Sequence, residues 1–299
     1  MVDQRKATLY GLSAVLLWST VATAFKLSLR YLPPAHLLLY AAAVSTVALG
    51  ALLVVRGRLG AALTALRRDW RPALLLGLLN PFLYYLVLFK AYDLLPAQEA
   101  QPLNYTWAMT LALLAVPLLK QRIALRDFAA IAVSYLGVVV ISTKGDLFGL
   151  HFAEPFGVAL ALGSTVLWAL YWIYNTRSRR DPLAGLFGNF LCGLPFILLW
   201  CLLFTDLHLP PLAGLLGAAY VGLFEMGITF VLWQLALDHS ENTAKIGNLI
   251  FLSPFLSLLF IQLLVGETIL ASTVVGLGLI VCGQLLQQLP WGRRRGRSS

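Results

Sequence analysis

The sequence predicts an all-α membrane protein, with ten transmembrane helices in an inverted 5+5 repeat. Three observations predict it. Apolar residues make up 60% of the 299 residues and charged ones only 12%. The apolar residues gather into runs of about 20, the length that crosses a bilayer as a helix. Several segments of the first half also recur, in the same order, in the second.

An ordinary soluble domain is about 45–50% apolar and about 25% charged, and this chain has too few charges to cover a core of its size with a polar surface. Lipid removes that requirement, but it obliges each span to satisfy its own backbone, as a helix or within a closed barrel. Barrel strands would alternate polar and apolar residues. Runs such as 251–265 and 274–283 do not alternate, so the spans read as helices.

Taken in order, the candidate spans lie near 7–29, 35–55, 72–92, 98–119, 126–143, 156–176, 183–204, 212–236, 243–265 and 270–289. The connections, such as 31–34, 177–182 and 206–211, are short and rich in Pro, Gly and charge. Arg5 and Lys6 before an apolar run, with Ala22-Thr23-Ala24 beyond, imitate a signal peptide. The run exceeds the 7–15 residues usual for such a core, so an uncleaved first span is expected. Pro81, Pro102, Pro117, Pro195 and Pro254 fall inside spans, where they would kink helices and free carbonyls.

Basic residues set the orientation. With the N-terminus in the cytoplasm, 17 of the 22 Lys and Arg lie on the cytoplasmic side and only Arg30 and Lys144 on the other. Both termini are then cytoplasmic, and the net charge of +9 reads as topology, with no nucleic acid as partner. The basic tail 290–299 would touch anionic headgroups of the lipid bilayer. Cys192, Cys201 and Cys282 sit in apolar segments without metal-type spacing and read as buried small hydrophobes.

Setting Trp18 on Trp168 aligns the first span with the sixth, each ending in a basic residue. Asp93 and Asp238 close the third and eighth spans; Asn104 matches Asn248, Ile123 matches Ile269, and Gly137 matches Gly283. The repeats are 7–143 and 156–289. Because each holds five spans, the second enters the membrane from the opposite side, an arrangement typical of secondary transporters with a site at the midplane. Ala159-x3-Gly163 and Ala218-x3-Gly222 would let helices pack closely.

Signatures of enzymes, H-E-x-x-H, G-x-x-x-x-G-K-[ST] and G-x-S-x-G, are missing, and the histidines His36, His151, His208 and His239 are scattered, the last three in loops. Catalysis, a cofactor and a metal are therefore not expected. Intramembrane charges are costly and mark functional candidates. Glu225 is the deepest acid, able to titrate or to bind an ammonium group, and Lys245 opens the ninth span, where it could meet a carboxylate. Lys26 reads as a snorkelling side chain, Lys90 as a span-end charge, Glu99 as a solvated cap and Glu267 as a structural turn residue. Tyr84, Tyr105, Trp107, Trp168 and Trp172 fall in the third, fourth and sixth spans. Trp168 and Tyr105 are mid-span, where a cavity wall suits them better than an interfacial belt; Tyr174 suits the belt. Asn80 and Asn104 lie at similar depth and need hydrogen-bond partners there. Aromatic walls with a few convergent polar groups fit a small amphiphilic solute.

The opening Arg5-Lys6-Ala7-Thr8-Leu9-x-Gly11-Leu12, with Leu17-Trp18-Ser19-Thr20, Asn104-Tyr105-x-Trp107 and Leu167-Trp168-Ala169-x-Tyr171, resembles the bacterial amino-acid exporters of the drug/metabolite transporter superfamily. The resemblance covers both halves as two EamA-type repeats. It implies ten helices, the bacterial inner membrane, and a central cavity through which aromatic and other amino acids are exported, with Tyr105, Trp107 and Trp168 at that cavity. The third-span piece Asn80-Pro81-Phe82-Leu83-Tyr84 and Lys245 depart from the pattern, which points to a substrate range broader than aromatic amino acids.

The expectation is an alternating-access amino acid exporter, sufficient as a monomer, whose halves rock around the cavity. The alternatives are a carrier of the same superfamily for another metabolite or drug, and a membrane scaffold or binding protein without transport. A phosphorylated substrate would call for several inward-facing Lys or Arg residues, and the chain has few deep ones.

Overall fold

The computed structural model describes residues 2–120, 125–149, 154–178, 180–241 and 243–288, with backbone only for 125, 126, 243–245 and 288. Ten apolar helices carry it: Gln4–Ser28, Pro34–Val55, Trp70–Leu94, Ala97–Leu119, Leu125–Ser142, Pro155–Arg177, Pro182–Phe204, Leu212–His239, Ile246–Val265 and Ala271–Gln288. In chain order these are the first to tenth spans. Eight are long and apolar enough to cross a membrane, and the fifth and tenth are shorter. No strand occurs among the described residues. The protein is a multi-pass membrane protein with an all-helical, ten-helix fold. The span ends lie within three residues of those read from the sequence.

Local chemistry sets many of those ends. Asp3 caps the first span, its carboxylate accepting from the backbone N–H groups of Lys6 and Arg5 at 3.1 Å, and the Lys6 bond above all lowers its pKa. Pro34, Pro155 and Pro182 open the second, sixth and seventh spans, where a missing N–H costs nothing. Gly266 ends the ninth span at φ 83°, a left-handed conformation that glycine adopts without strain. A short helix that the sequence reading missed, Leu59–Arg68, joins the second and third spans. It packs Leu59 and Ala62 on Leu49, Leu53, Leu183 and Phe187 and is otherwise largely exposed.

Lipid supplies no hydrophobic force between helices, so close backbone contact matters more than in water. A Cβ on Gly77 of the third span would strike the Asn189 carbonyl of the seventh; one on Gly222 of the eighth would strike the Ala41 carbonyl of the second. The register that sets Asp93 on Asp238 sets Gly77 on Gly222. The fifth and tenth spans pair likewise. Gly137 abuts the Gly276 carbonyl and Gly283 abuts the Ala130 carbonyl, and the register pairing Gly137 with Gly283 converts one contact into the other. Of the two small-residue spacings, Gly222 is a close approach, whereas Gly163 has nothing near.

Four spans are broken near their middles. The third departs at Asn80 (φ −145°, ψ 115°) and the fourth in the turn Tyr105–Thr106. The eighth departs at Gly227 (φ −133°, ψ −94°) and the ninth in the 3₁₀ segment Leu249–Leu252. The same register sets Asn80 on Glu225, so the third and eighth spans break at matching places. Proline explains only some of this. Pro81 follows Asn80 at a break, and Pro254 begins a helical stretch. Pro117 and Pro195 sit inside continuous helices, contrary to the expectation that they interrupt them.

Four further expectations are corrected. Glu99 is only 3% exposed, not solvated, and faces Lys144 at 3.9 Å. Lys26 does not snorkel; its Nζ donates to the carbonyls of Tyr92 and Leu95 at 2.8 and 2.7 Å, capping the third span. Cys282 is exposed on the tenth span and Cys192 is half-buried, so only Cys201 is a buried hydrophobe. His239 lies in the last turn of the eighth span, not in a loop, and His151 lies outside the described residues.

Candidate functional site

The first span crosses the eighth and ninth, and the sixth crosses the third and fourth. Between these two groups lies a cavity of about 340 Å³. All four broken spans contribute to it, because straight helices packed side by side would fill the space.

Its wall is aromatic. Trp168 of the sixth span stands 4.6 Å from Tyr84, 6.0 Å from Trp172 and 6.4 Å from Phe230 between ring centroids. Trp18 lies 5.5 Å from both Phe230 and Trp233. Phe25 meets Tyr92 edge-on at 5.2 Å, and Tyr105 and Trp107 come from the fourth span. Each ring fixes its neighbour, so the wall is preorganised.

Polar groups on this wall are few. Asn104 donates from Nδ2 to Ser164 Oγ at 3.0 Å, and Tyr84 Oη donates to Asn104 Oδ1 at 3.5 Å. Glu225 reaches the cavity and accepts from Tyr85 Oη at 3.0 Å. Gln101 Oε1 and Trp172 Nε1 are buried and have no hydrogen-bond partner among the described residues. Unpaired buried groups are costly, and both residues line the cavity, so a solute there would find one acceptor and one donor unengaged.

Of the residues singled out from sequence, Tyr84, Asn104, Tyr105, Trp107, Trp168, Trp172 and Glu225 line the cavity together. Asn80 does not: it is 3% exposed and faces the Tyr171 hydroxyl behind the wall. The side chain of Lys245 lies outside the described residues. The sequence reading missed Trp18, Gln101, Phe230 and Trp233 as lining residues. Trp18 carried a signal, since its partner in the repeat, Trp168, had been chosen for its mid-span position.

At the end of the bundle opposite the N-terminus, a polar network ties the fourth span to the turn before the tenth. Glu267 accepts from the N–H groups of Ala97 and Gln98 at 2.8 and 3.0 Å. The Gln98 side chain donates to the Thr268 carbonyl and accepts from Leu270 N, both at 2.9 Å. At the N-terminal end, Asp3 N donates to the His239 carbonyl at 2.9 Å, and Arg177 donates to the Leu118 carbonyl at 2.9 Å. Between the sixth and seventh spans, Arg180 is half-buried and donates to Asn189 Oδ1 at 2.9 Å; burial lowers its pKa from the usual guanidinium value.

A polytopic bundle with broken helices around an interior cavity is the architecture of a membrane carrier. The chain belongs to the EamA-like transporter family, whose model matches twice, over residues 5–143 and 155–287. It is 28% identical to the "Aromatic amino acid exporter YddG" of Ancylobacter novellus, over 87% of this chain and 89% of that one. It is 27% identical to the "Uncharacterized transporter YvbV" of Bacillus subtilis, over 89% and 86% of the two chains. A solved crystal structure at 25% identity covers 96% of this chain and 97% of its own, with a TM-score of 0.68.

Proposed function

We propose that this transporter is an amino acid exporter of the bacterial inner membrane, carrying aromatic and other amino acids out of the cytoplasm by alternating access, with both termini cytoplasmic. The observation that carries the reading is the aromatic cavity at the breaks of four spans, roomy enough for one amino acid. In this reading the rings of Tyr84, Tyr105, Trp107, Trp168 and Trp172 hold the side chain, and Asn104 and Glu225 meet the polar end. The exporter name of the Ancylobacter relative supports the same substrate class.

In this reading the two halves rock around the cavity, to whose wall each contributes spans. A single chain encloses the cavity, so a monomer suffices. The repeat boundaries 7–143 and 156–289 belong to this proposal, and the tail 290–299 is proposed to lie on anionic headgroups.

The test is transport of labelled phenylalanine, tryptophan and alanine by purified protein in liposomes. Accumulation of none of them above protein-free liposomes rejects the proposal. A carrier of phosphorylated metabolites is disfavoured, since no Lys or Arg lines the cavity among the described residues. A scaffold without transport would have no use for such a cavity.

A further inference from the structure

We infer that the cavity recognises its substrates by their ammonium group and does not read their carboxylate. The substrate class is then the aryl-alkyl primary amines, of which aromatic amino acids are the carboxylated members. The inference rests on the transport reading above and narrows it.

Charge is the first argument. Among the described residues the cavity wall holds one carboxylate, Glu225, and no Lys, Arg or His. Lys26, the deep base of the first span, is committed to two backbone carbonyls and does not line the cavity. Among the described residues, an amino acid entering this space finds a counter-ion for its ammonium group only. Its own carboxylate would sit in a low-dielectric cavity beside the Glu225 carboxyl with no described cation to pair with, and an unpaired buried charge is costly.

The wall itself is the second argument. Five indoles, Trp18, Trp107, Trp168, Trp172 and Trp233, line the cavity. Aromatic faces carry the negative part of the ring quadrupole and attract cations, with tryptophan the strongest. The same faces repel an anion.

Hydrogen bonding is the third. Gln101 Oε1 is a buried acceptor without a partner, and it lines the same cavity as the Glu225 carboxylate. An ammonium group has three protons to place. Among the described lining residues a carboxylate finds only neutral donors, such as Trp172 Nε1. Neutral donors are enough to tolerate a carboxylate without requiring one.

The experiment compares three ligands that share one ring: tryptamine, L-tryptophan and indole-3-propionate, titrated calorimetrically into full-length protein in nanodiscs. Tryptamine is expected to bind at least as tightly as tryptophan, and indole-3-propionate at least 30-fold more weakly. Glu225→Gln is expected to weaken tryptamine at least ten-fold. Binding of indole-3-propionate as tight as tryptamine overturns the inference, as does wild-type tryptamine affinity in the Gln variant. The wild-type ligand series stands even if that variant does not insert. Tryptophan binding and moving across liposomes while tryptamine does not bind overturns the inference and leaves amino acid export intact. Tryptamine transport without any amino acid transport upholds the inference and overturns the amino-acid reading. Binding of none of the three overturns both.

Discussion

Tyr85 Oη donates to Glu225 Oε1 at 3.0 Å, joining the third span to the eighth at the two breaks that the internal register pairs. Tyr85 is only 1% exposed, so no water replaces this hydroxyl if it is lost. Leaving a buried acceptor without its hydrogen bond costs about 1–3 kcal/mol. Tyr85→Phe is therefore expected to raise the half-saturating concentration of an amine-bearing substrate about ten-fold, with normal membrane insertion. Unchanged uptake kinetics in liposomes would show that the carboxylate needs no positioning partner.

The matched glycine contacts give a prediction about stability. Gly77→Ala and Gly222→Ala each push a methyl group into a backbone carbonyl that cannot rotate away. Each is expected to destabilise by about 1–3 kcal/mol, the range for overpacking. Gly163→Ala and Gly278→Ala meet open space and should be neutral, or stabilising by up to about 1 kcal/mol through helix propensity. Thermal melting of the four variants in detergent separates the pairs.

Trp168 touches Tyr84, Tyr171, Trp172 and Phe230. Trp168→Ala is expected to lower transport at least ten-fold while the protein still inserts. Trp168→Phe, which keeps a ring against Tyr84, should retain most activity. Equal transport by wild type and the Ala variant would remove Trp168 from the site.

Glu267 and Gln98 tie the start of the fourth span to the turn before the tenth. Breaking this tie with Gln98→Ala should favour the state open at that end. A cysteine placed at Ala22, a cavity residue, should then react faster with a membrane-impermeant thiol reagent added from that side, by about three-fold or more. An unchanged labelling rate would mean that the network stabilises the fold without gating the cavity.

The fold was legible because lipid imposes simple rules. A span must be long and apolar, and its ends carry Pro, Gly or charge; the observed ends fell close to expectation for that reason. The breaks were less legible. Proline marks the one at Asn80-Pro81, but Gly227 and the Tyr105–Thr106 turn carry no comparable signal, and Pro195 sits in an unbroken helix. Mid-span aromatics identified much of the cavity wall, since neither an interface nor solvent explains Trp168. Depth alone misplaced Asn80, because residues at equal depth face different directions. Lys26 and Glu99 went astray because their partners, the Tyr92 carbonyl and Lys144, lie 66 and 45 positions away in the chain.

The glycine seams bear on how the polypeptide assembles. Gly77 of the first half seats on the seventh span, and Gly222 of the second half seats on the second. Neither half can therefore complete its backbone contacts from its own spans, and each is the other's missing surface. Two separate polypeptides, cut between the fifth and sixth spans and made in the same cell, should find one another and restore uptake, whereas either fragment alone should be degraded as an orphan.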